Sequence, residues 1–188
     1  MSDHHFYDQG FNSKTFQGTI GLEFEQCRFT DCDFTSALLK ETKFIECEFE
    51  NCNFSNVDVF KVSFQDCAFS NCKMIGIGFH ECNVFNLSMK FQQCNLAHSI
   101  FADMNLNGCS FTNCDLKESD FGYADLSEII IKGCNLAGAT FEQTNLIKAD
   151  LRDSIHYRID PDTNQIKSAK FSKESISGLL IKYDITID

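Results

Sequence analysis

The sequence of 188 residues has no tryptophan and a single proline, and no apolar run approaches the roughly 18 residues that a membrane-spanning helix needs. Its first residues, MSDHHFYDQGFNSK, lack the charged-then-apolar order of a secretory signal peptide. Basic side chains are also scarce, with 16 Lys and Arg against 27 Asp and Glu and a formal net charge of -11. These absences predict a soluble, cytoplasmic protein that binds neither membrane nor nucleic acid directly and favours a basic partner.

Motifs of catalysis and of cofactor binding are missing as well. No serine or cysteine is paired with a histidine in a recognisable nucleophile motif, and there is no glycine-rich phosphate loop. The eleven cysteines, an odd number for a disulfide framework, recur as Cys-x4-Cys, whereas zinc sites favour Cys-x2-Cys. The sequence therefore predicts no enzyme, no metal site, no cofactor, and cysteines that stay reduced.

A period of five residues dominates what the sequence does contain. Apolar centres recur at every fifth position from Phe24 to Val84 and, after a slip of two residues near 86–90, from Phe91 to Leu151. A helix needs a period near 3.6 and a flat strand a period of 2. A period of five indicates a chain that turns a corner once per repeat and sends one large side chain inward each time.

The cysteines indicate how many repeats make one coil. All of them lie two residues before a centre, where a small apolar side chain fits inside the corner. Cys32, Cys52 and Cys72 are spaced by twenty residues, and the spacing resumes at Cys94 after the slip. Four repeats therefore form one closed coil in which like residues stack, with phenylalanine filling the first half of the core and leucine the second.

The triplets CDF, CNF, CNL, ADL, SDF and TNL resemble the pentapeptide-repeat family, whose usual repeat is A(D/N)(L/F)XX. The resemblance covers residues 22–151 and implies an all-β fold, a right-handed, quadrilateral, parallel β-helix. Within the family, the chain looks most like the quinolone-resistance (Qnr/MfpA) type. That resemblance implies a homodimer joined through its C-terminal tails that mimics duplex DNA, binds DNA gyrase or topoisomerase IV, and modulates fluoroquinolone susceptibility. The alternative is a scaffold protein that presents a rod surface to another protein.

Residues 152–188 break the period. A turn is expected at 160–164, with Pro161 in its second position, and Ser172 is expected to cap a helix from about 173 to 182, followed by a short strand. One apolar stripe is predicted on this helix. Its residues are Ile176, Leu179, Leu180 and Tyr183. The stripe either caps the end of the solenoid or both caps it and forms a two-fold dimer.

The N-terminal residues 1–21 have a pattern of their own. Phe6, Phe11 and Phe16 are spaced by five but are out of phase with Phe24. We therefore expect this segment to form an irregular strand or incomplete coil that caps the first full coil.

Negative charge is concentrated on the repeats, with 19 acidic and 9 basic residues between 22 and 151. Two clusters are predicted to contact a basic partner, although an ordinary solvated surface would look the same. The first consists of Glu41, Glu46, Glu48 and Glu50. The second consists of Asp115, Glu118, Asp120, Asp125 and Glu128.

Overall fold

The computed structural model describes residues 5–20 and 22–186. As the resemblance implies, the chain forms a right-handed, four-sided, parallel β-helix. Its strands are β1 (His5–Tyr7), β2 (Gly10–Asn12), β3 (Thr15–Thr19), β4 (Glu23–Glu25), β5 (Arg28–Thr30), β6 (Asp33–Leu38), β7 (Lys43–Ile45), β8 (Glu48–Glu50), β9 (Ser63–Gln65), β10 (Cys67–Ser70), β11 (Met89–Gln92), β12 (Ser110–Thr112) and β13 (Ile130–Lys132). Short 3₁₀ helices span Phe79–Glu81, Lys173–Leu179 and Ile181–Tyr183. No helix in the described part of the chain is long and apolar enough to cross a bilayer.

Four faces surround the core, and we number them in chain order. In one coil, Phe24, Phe29, Phe34 and Leu39 point inward from faces 1, 2, 3 and 4 respectively. Face 1 contains the parallel sheet β1-β4-β7-β9, and face 2 contains the sheet β2-β5-β8-β10-β11-β12-β13. Faces 3 and 4 are joined across coils mainly by isolated parallel bridges and single backbone hydrogen bonds.

The core consists of columns of stacked apolar side chains, many of them identical in neighbouring coils. On face 2 the ring of Phe49 stacks between those of Phe29 and Phe69, at centroid distances of 4.8 and 4.7 Å. All eleven cysteines are buried and unbridged. Nine of the thiols, all except those of Cys82 and Cys109, bond to backbone carbonyls, as Cys47 Sγ does to the Phe24 oxygen at 3.3 Å. The thiols therefore satisfy backbone acceptors while packing as small apolar groups.

The corners explain the period of five. The last residue of most repeats adopts the left-handed conformation, as Asp31 and Glu46 do with φ of 53° and 52°. A residue of positive φ bends the chain sharply, so each repeat ends in a corner that leads onto the next face.

The N-terminal prediction of an incomplete coil needs revision, because residues 5–20 stack on the next coil in register. The Phe6 ring lies 5.0 Å from that of Phe24, and Phe16 lies 4.5 Å from Phe34. The phenylalanines of this segment are out of phase with Phe24 in the sequence because this coil is two residues shorter than the next one. The pairing of β3 with β6 contains the corresponding irregularity, between Thr15 and Gln17. Residues 1–4 and 21 of the predicted cap lie outside the described residues.

The slip also begins earlier than the sequence predicts. Val84, predicted as a buried centre, is 64% exposed, and its neighbour Phe85 is 66% exposed. Leu87 is buried in that coil instead. The two extra residues therefore bulge outward before the chain returns to register at Met89, which pairs with Cys67.

The solenoid extends past Leu151. Gln165 and Lys170 form parallel bridges with Asn145 and Asp150, twenty residues earlier, and Asn164 is buried in the position that Thr144 occupies one coil before. The predicted helix over 173–182 is a 3₁₀ helix that ends at Leu179, and the Ser172 side chain does not cap it. Residues 184–186 form no strand, and the rest of the predicted strand, 187–188, lies outside the described residues.

Candidate protein-binding face

The two predicted acidic clusters are not clusters in space, because successive repeats lie on different faces. The structure distributes them over all four faces. Glu46, Asp125 and Glu128 are on face 1, Glu48 and Glu50 on face 2, Asp115 and Glu118 on face 3, and Glu41 and Asp120 on face 4.

Several of these carboxylates are neutralised by a neighbour. Glu48 pairs with Arg28 at 2.8 Å and Glu128 with Lys148 at 2.7 Å, in each case across one coil. The hydrogen bond and charge of the lysine lower the pKa of the Glu128 carboxyl. An exposed pair of this kind adds little stability, but it removes a carboxylate from the charge that a partner would meet.

Face 4 differs, since each of six consecutive coils carries an outward carboxylate there. We call these outward positions of face 4, from Leu38 to Gln143, the acidic face. Its carboxylates are Glu41, Asp58, Glu81, Asp103, Asp120 and Glu142. Within the described residues, none of the six has a basic side chain within 4.0 Å. From Gly78 to Gln143, the outward positions of this face contain no lysine or arginine.

Backbone hydrogen bonds fix the spacing of the acidic face. The Asp103 amide donates to the Gly122 carbonyl at 2.9 Å, and the Tyr123 amide to the Glu142 carbonyl at 2.7 Å. The Asp120 side chain accepts the Gly122 amide, also at 2.9 Å. Coils in such a stack rise by about 4.8 Å, so the six carboxylates extend over roughly 24 Å on a rigid support.

The acidic face also exposes large apolar side chains. Leu38 is 57% exposed, Phe60 41%, Ile100 38% and Tyr123 53%. At the N-terminal end, the Lys61 ammonium lies 5.3 Å from the Phe60 ring and partly offsets the charge there. The remainder of the face combines unpaired carboxylates with exposed apolar groups.

Sequence reasoning missed four of the six carboxylates: Asp58, Glu81, Asp103 and Glu142. Their signal is present in the sequence as a separation near twenty residues, with two more where the slip intervenes. Grouping the acidic residues by face, instead of by proximity along the chain, would have identified these four carboxylates.

The four residues of the stripe predicted for dimerisation differ in burial. Leu179 is buried and Leu180 half-buried against the end of the solenoid, whereas Ile176 and Tyr183 are exposed. The segment thus covers the C-terminal end of the core and leaves part of its apolar surface in solvent. Nearby Ile181 is also exposed, by 49%.

Among the described residues, His5, Glu23 and Glu25 are the one group of potential metal ligands that comes together. His5 Nε2 lies 3.1 Å from a Glu25 oxygen, and Lys43 Nζ lies 3.0 Å from Glu23. The group is open to solvent, and Lys43 already supplies a positive charge, so the arrangement is that of a surface ion-pair network.

Family models match much of the chain. A model described as pentapeptide repeats matches residues 23–59 and 119–155, and one described as pentapeptide repeat region matches residues 42–111. No curated protein sequence is significantly similar to the chain.

Two solved structures show the same fold. A trypsin-treated variant of QnrB1, a plasmid-mediated fluoroquinolone resistance protein, aligns over 98% of both chains with a TM-score of 0.63 and 18% identity. HetL, involved in heterocyst differentiation regulation in the cyanobacterium Nostoc sp. strain PCC 7120, aligns over 88% of this chain and 84% of its own with a TM-score of 0.62 and 14% identity. At these identities the likeness extends to the architecture.

Proposed function

This chain belongs to the pentapeptide-repeat family, and from that premise we propose that it is a non-catalytic binding rod whose acidic face docks on a basic surface of a protein partner. The fold is one of structural and interaction proteins. Within residues 5–20 and 22–186 the core is filled by the chain's own side chains, so a partner would bind on the outside of the rod. The observation that carries the proposal is the row of carboxylates without ion-pair partners.

The partner that we propose is a type II topoisomerase, either DNA gyrase or topoisomerase IV. One strand of duplex DNA carries a phosphate every 3.4 Å, or about seven over 24 Å, and the acidic face presents six carboxylates over that length. The acidic face therefore approaches the linear charge density of one DNA strand, a little under half that of the duplex, which is enough to attract a groove that binds DNA. The structural likeness to QnrB1, described as a fluoroquinolone resistance protein, is consistent with such a partner.

We further propose that the rod forms a cytoplasmic homodimer through its C-terminal segment. Ile176 and Tyr183, joined by Ile181 and Ile185, expose apolar surface beside the covered end of the solenoid. Leu179 and Leu180 contribute by holding the segment against its own core. Two rods joined end to end would double the length of the acidic face.

The experiment is a gyrase supercoiling assay in which the protein is titrated with and without a fluoroquinolone. We expect inhibition of supercoiling or relief from the drug, weakening as salt is raised. The variant with Asp103→Asn, Asp120→Asn and Glu142→Gln is expected to lose about tenfold or more in potency. A matched control that removes three carboxylates from face 2, Asp31→Asn, Glu48→Gln and Glu50→Gln, is expected to retain it.

No effect of the wild-type protein at micromolar concentration would remove the topoisomerase from the proposal. Equal losses in the two variants would show that net charge matters and that the acidic face does not. A scaffold that binds another protein is the second candidate, and it is favoured by the exposed apolar side chains Phe60, Ile100 and Tyr123 on the same face.

A further inference from the structure

The apolar side chains of the acidic face have no counterpart on the backbone of DNA. Ile100 and Tyr123 are the central pair. Ile100 pairs with Asp120 of the next coil, and Asp103 bonds through its amide to Gly122, beside Tyr123. With Glu142, bonded to the Tyr123 amide, these residues form what we call the mixed patch: Ile100, Asp103, Asp120, Tyr123 and Glu142. A surface that only imitated DNA phosphates would gain nothing from Ile100 and Tyr123, the two apolar residues of the mixed patch.

We propose that the mixed patch binds a basic amphipathic α-helix of the partner, lying along the rod. The inference rests on the proposed function, since it takes the acidic face as the binding surface, and it adds the chemistry of the element that binds there. The helix would place lysine or arginine against the carboxylates and leucine-like side chains against Ile100 and Tyr123.

The repeat lengths of the two elements are compatible. An α-helix rises 5.4 Å per turn, and the coils of the rod rise about 4.8 Å. Over three turns the difference accumulates to about 2 Å, which long lysine and arginine side chains absorb. One basic residue per turn can therefore meet one carboxylate per coil along the whole patch.

The composition of the mixed patch is that of a binding hot spot. Such sites place an aromatic anchor at the centre and charged groups at the rim, and tyrosine is among the residues most enriched in them. Tyr123 is 53% exposed. Its amide bonds to Glu142 in the next coil, and the adjacent Gly122 carbonyl accepts the Asp103 amide of the preceding coil, so little backbone entropy remains to be lost on binding. Charge complementarity to the unpaired carboxylates requires the helix to be basic.

The test uses two helical peptides of about 20 residues, long enough to hold a helix in water. Both contain the same numbers of lysine, leucine and alanine. In the first, lysine and leucine share one face, and in the second they lie on opposite faces. Binding of each peptide to the full chain is measured by fluorescence anisotropy over a range of salt concentrations.

We expect the first peptide to bind about tenfold more tightly than the second. The variant with Ile100→Ser and Tyr123→Ser is expected to remove this difference and to keep the salt-dependent binding that both peptides share. The matched control is Ile130→Ser with Ile155→Ser, because these isoleucines are 47% and 45% exposed on other faces. It is expected to bind like the wild type.

Two outcomes would overturn parts of the argument separately. Equal binding of the two peptides, or equal losses in the two serine variants, would overturn the amphipathic helix and leave the acidic face as a purely electrostatic surface. If the variant with Asp103→Asn, Asp120→Asn and Glu142→Gln binds both peptides as the wild type does, the acidic face is not a binding surface. The proposed function would then fail with it.

Discussion

Faces 2 and 4 lie on opposite sides of one core and differ in both backbone and charge. Face 2 is a continuous parallel sheet, whereas the acidic face is joined by isolated bridges and single hydrogen bonds. Face 2 carries charges of both signs. Its acids Asp31, Glu48, Glu50, Asp150 and Asp153 are matched by the bases Arg28, Lys90, Lys132, Arg152 and Lys170. The acidic face has six carboxylates without ion pairs among the described residues.

The residue just before the centre differs between parts of the two faces. On the acidic face, Asp58 and Asp120 each accept the amide two residues further on, at 2.8 and 2.9 Å, and hold tight turns. On face 2, Arg28 and Glu48 occupy this position and lie in paired strands. At Asp58 and Asp120, one residue therefore both holds a turn and adds to the surface charge.

The largest expected effect tests whether the two faces share an equivalent interior. Phe49 supports face 2, and Phe101, stacked at 4.8 Å on Phe79, supports the acidic face. Each is fully buried, so Phe49→Ala and Phe101→Ala should each lower the free energy of unfolding by about 3–5 kcal/mol in urea titrations. Phe111, also predicted from the period to point inward, should behave alike. A loss under about 1 kcal/mol at either face would contradict a common core.

A smaller effect is expected where the C-terminal segment meets the acidic face. Lys182 bonds to Asp160 at 2.5 Å and to Asp162, the next carboxylates along face 4. A Cβ added at Gly178 would lie 2.4 Å from the Tyr157 carbonyl oxygen. Gly178→Ala should therefore displace the segment at a cost of about 1–3 kcal/mol and release two carboxylates to extend the acidic face.

Hydrogen exchange of residues 173–183 and limited proteolysis measure this displacement. Gly10→Ala is the control, because a Cβ at Gly10 has nothing within 4 Å. If the Gly178→Ala variant protects residues 173–183 from hydrogen exchange as well as the wild type does, the added methyl group fits beside Tyr157 and the prediction is wrong.

The sequence predicts the coil well because its signal is strictly periodic. The burial of Phe49 and the cysteine columns follow from spacing alone. The position of the slip does not, since Val84 is apolar and fits the period whereas Leu87 does not. Only the geometry of the bulge decides which of them is buried.

The C-terminal segment shows a second limit of the sequence. The apolar stripe predicts an α-helix, but Ser175, Ser177 and Gly178 are weak helix formers, and Gly178 must approach the Tyr157 backbone. Tertiary packing therefore selects a 3₁₀ helix. The additional repeats at Ile166 and Phe171 are hard to recognise because the turn at Pro161 interrupts the period before them.

The smallest expected effect compares single carboxylates on the two faces. On face 2, the Arg152 guanidinium bonds to Asp150 and lowers the pKa of that carboxyl to about 2. A lowered pKa contributes stability above the unfolded value near 3.9, and the contribution is lost as pH falls through about 2. Asp150→Asn should lower the free energy of unfolding by about 1 kcal/mol at neutral pH and converge with the wild type near pH 2.

Asp103→Asn removes an unpaired carboxylate of the acidic face and should change the free energy of unfolding by no more than about 0.5 kcal/mol. Equal losses at the two sites, measured by urea titration across this pH range, would mean that ion pairing does not distinguish the faces.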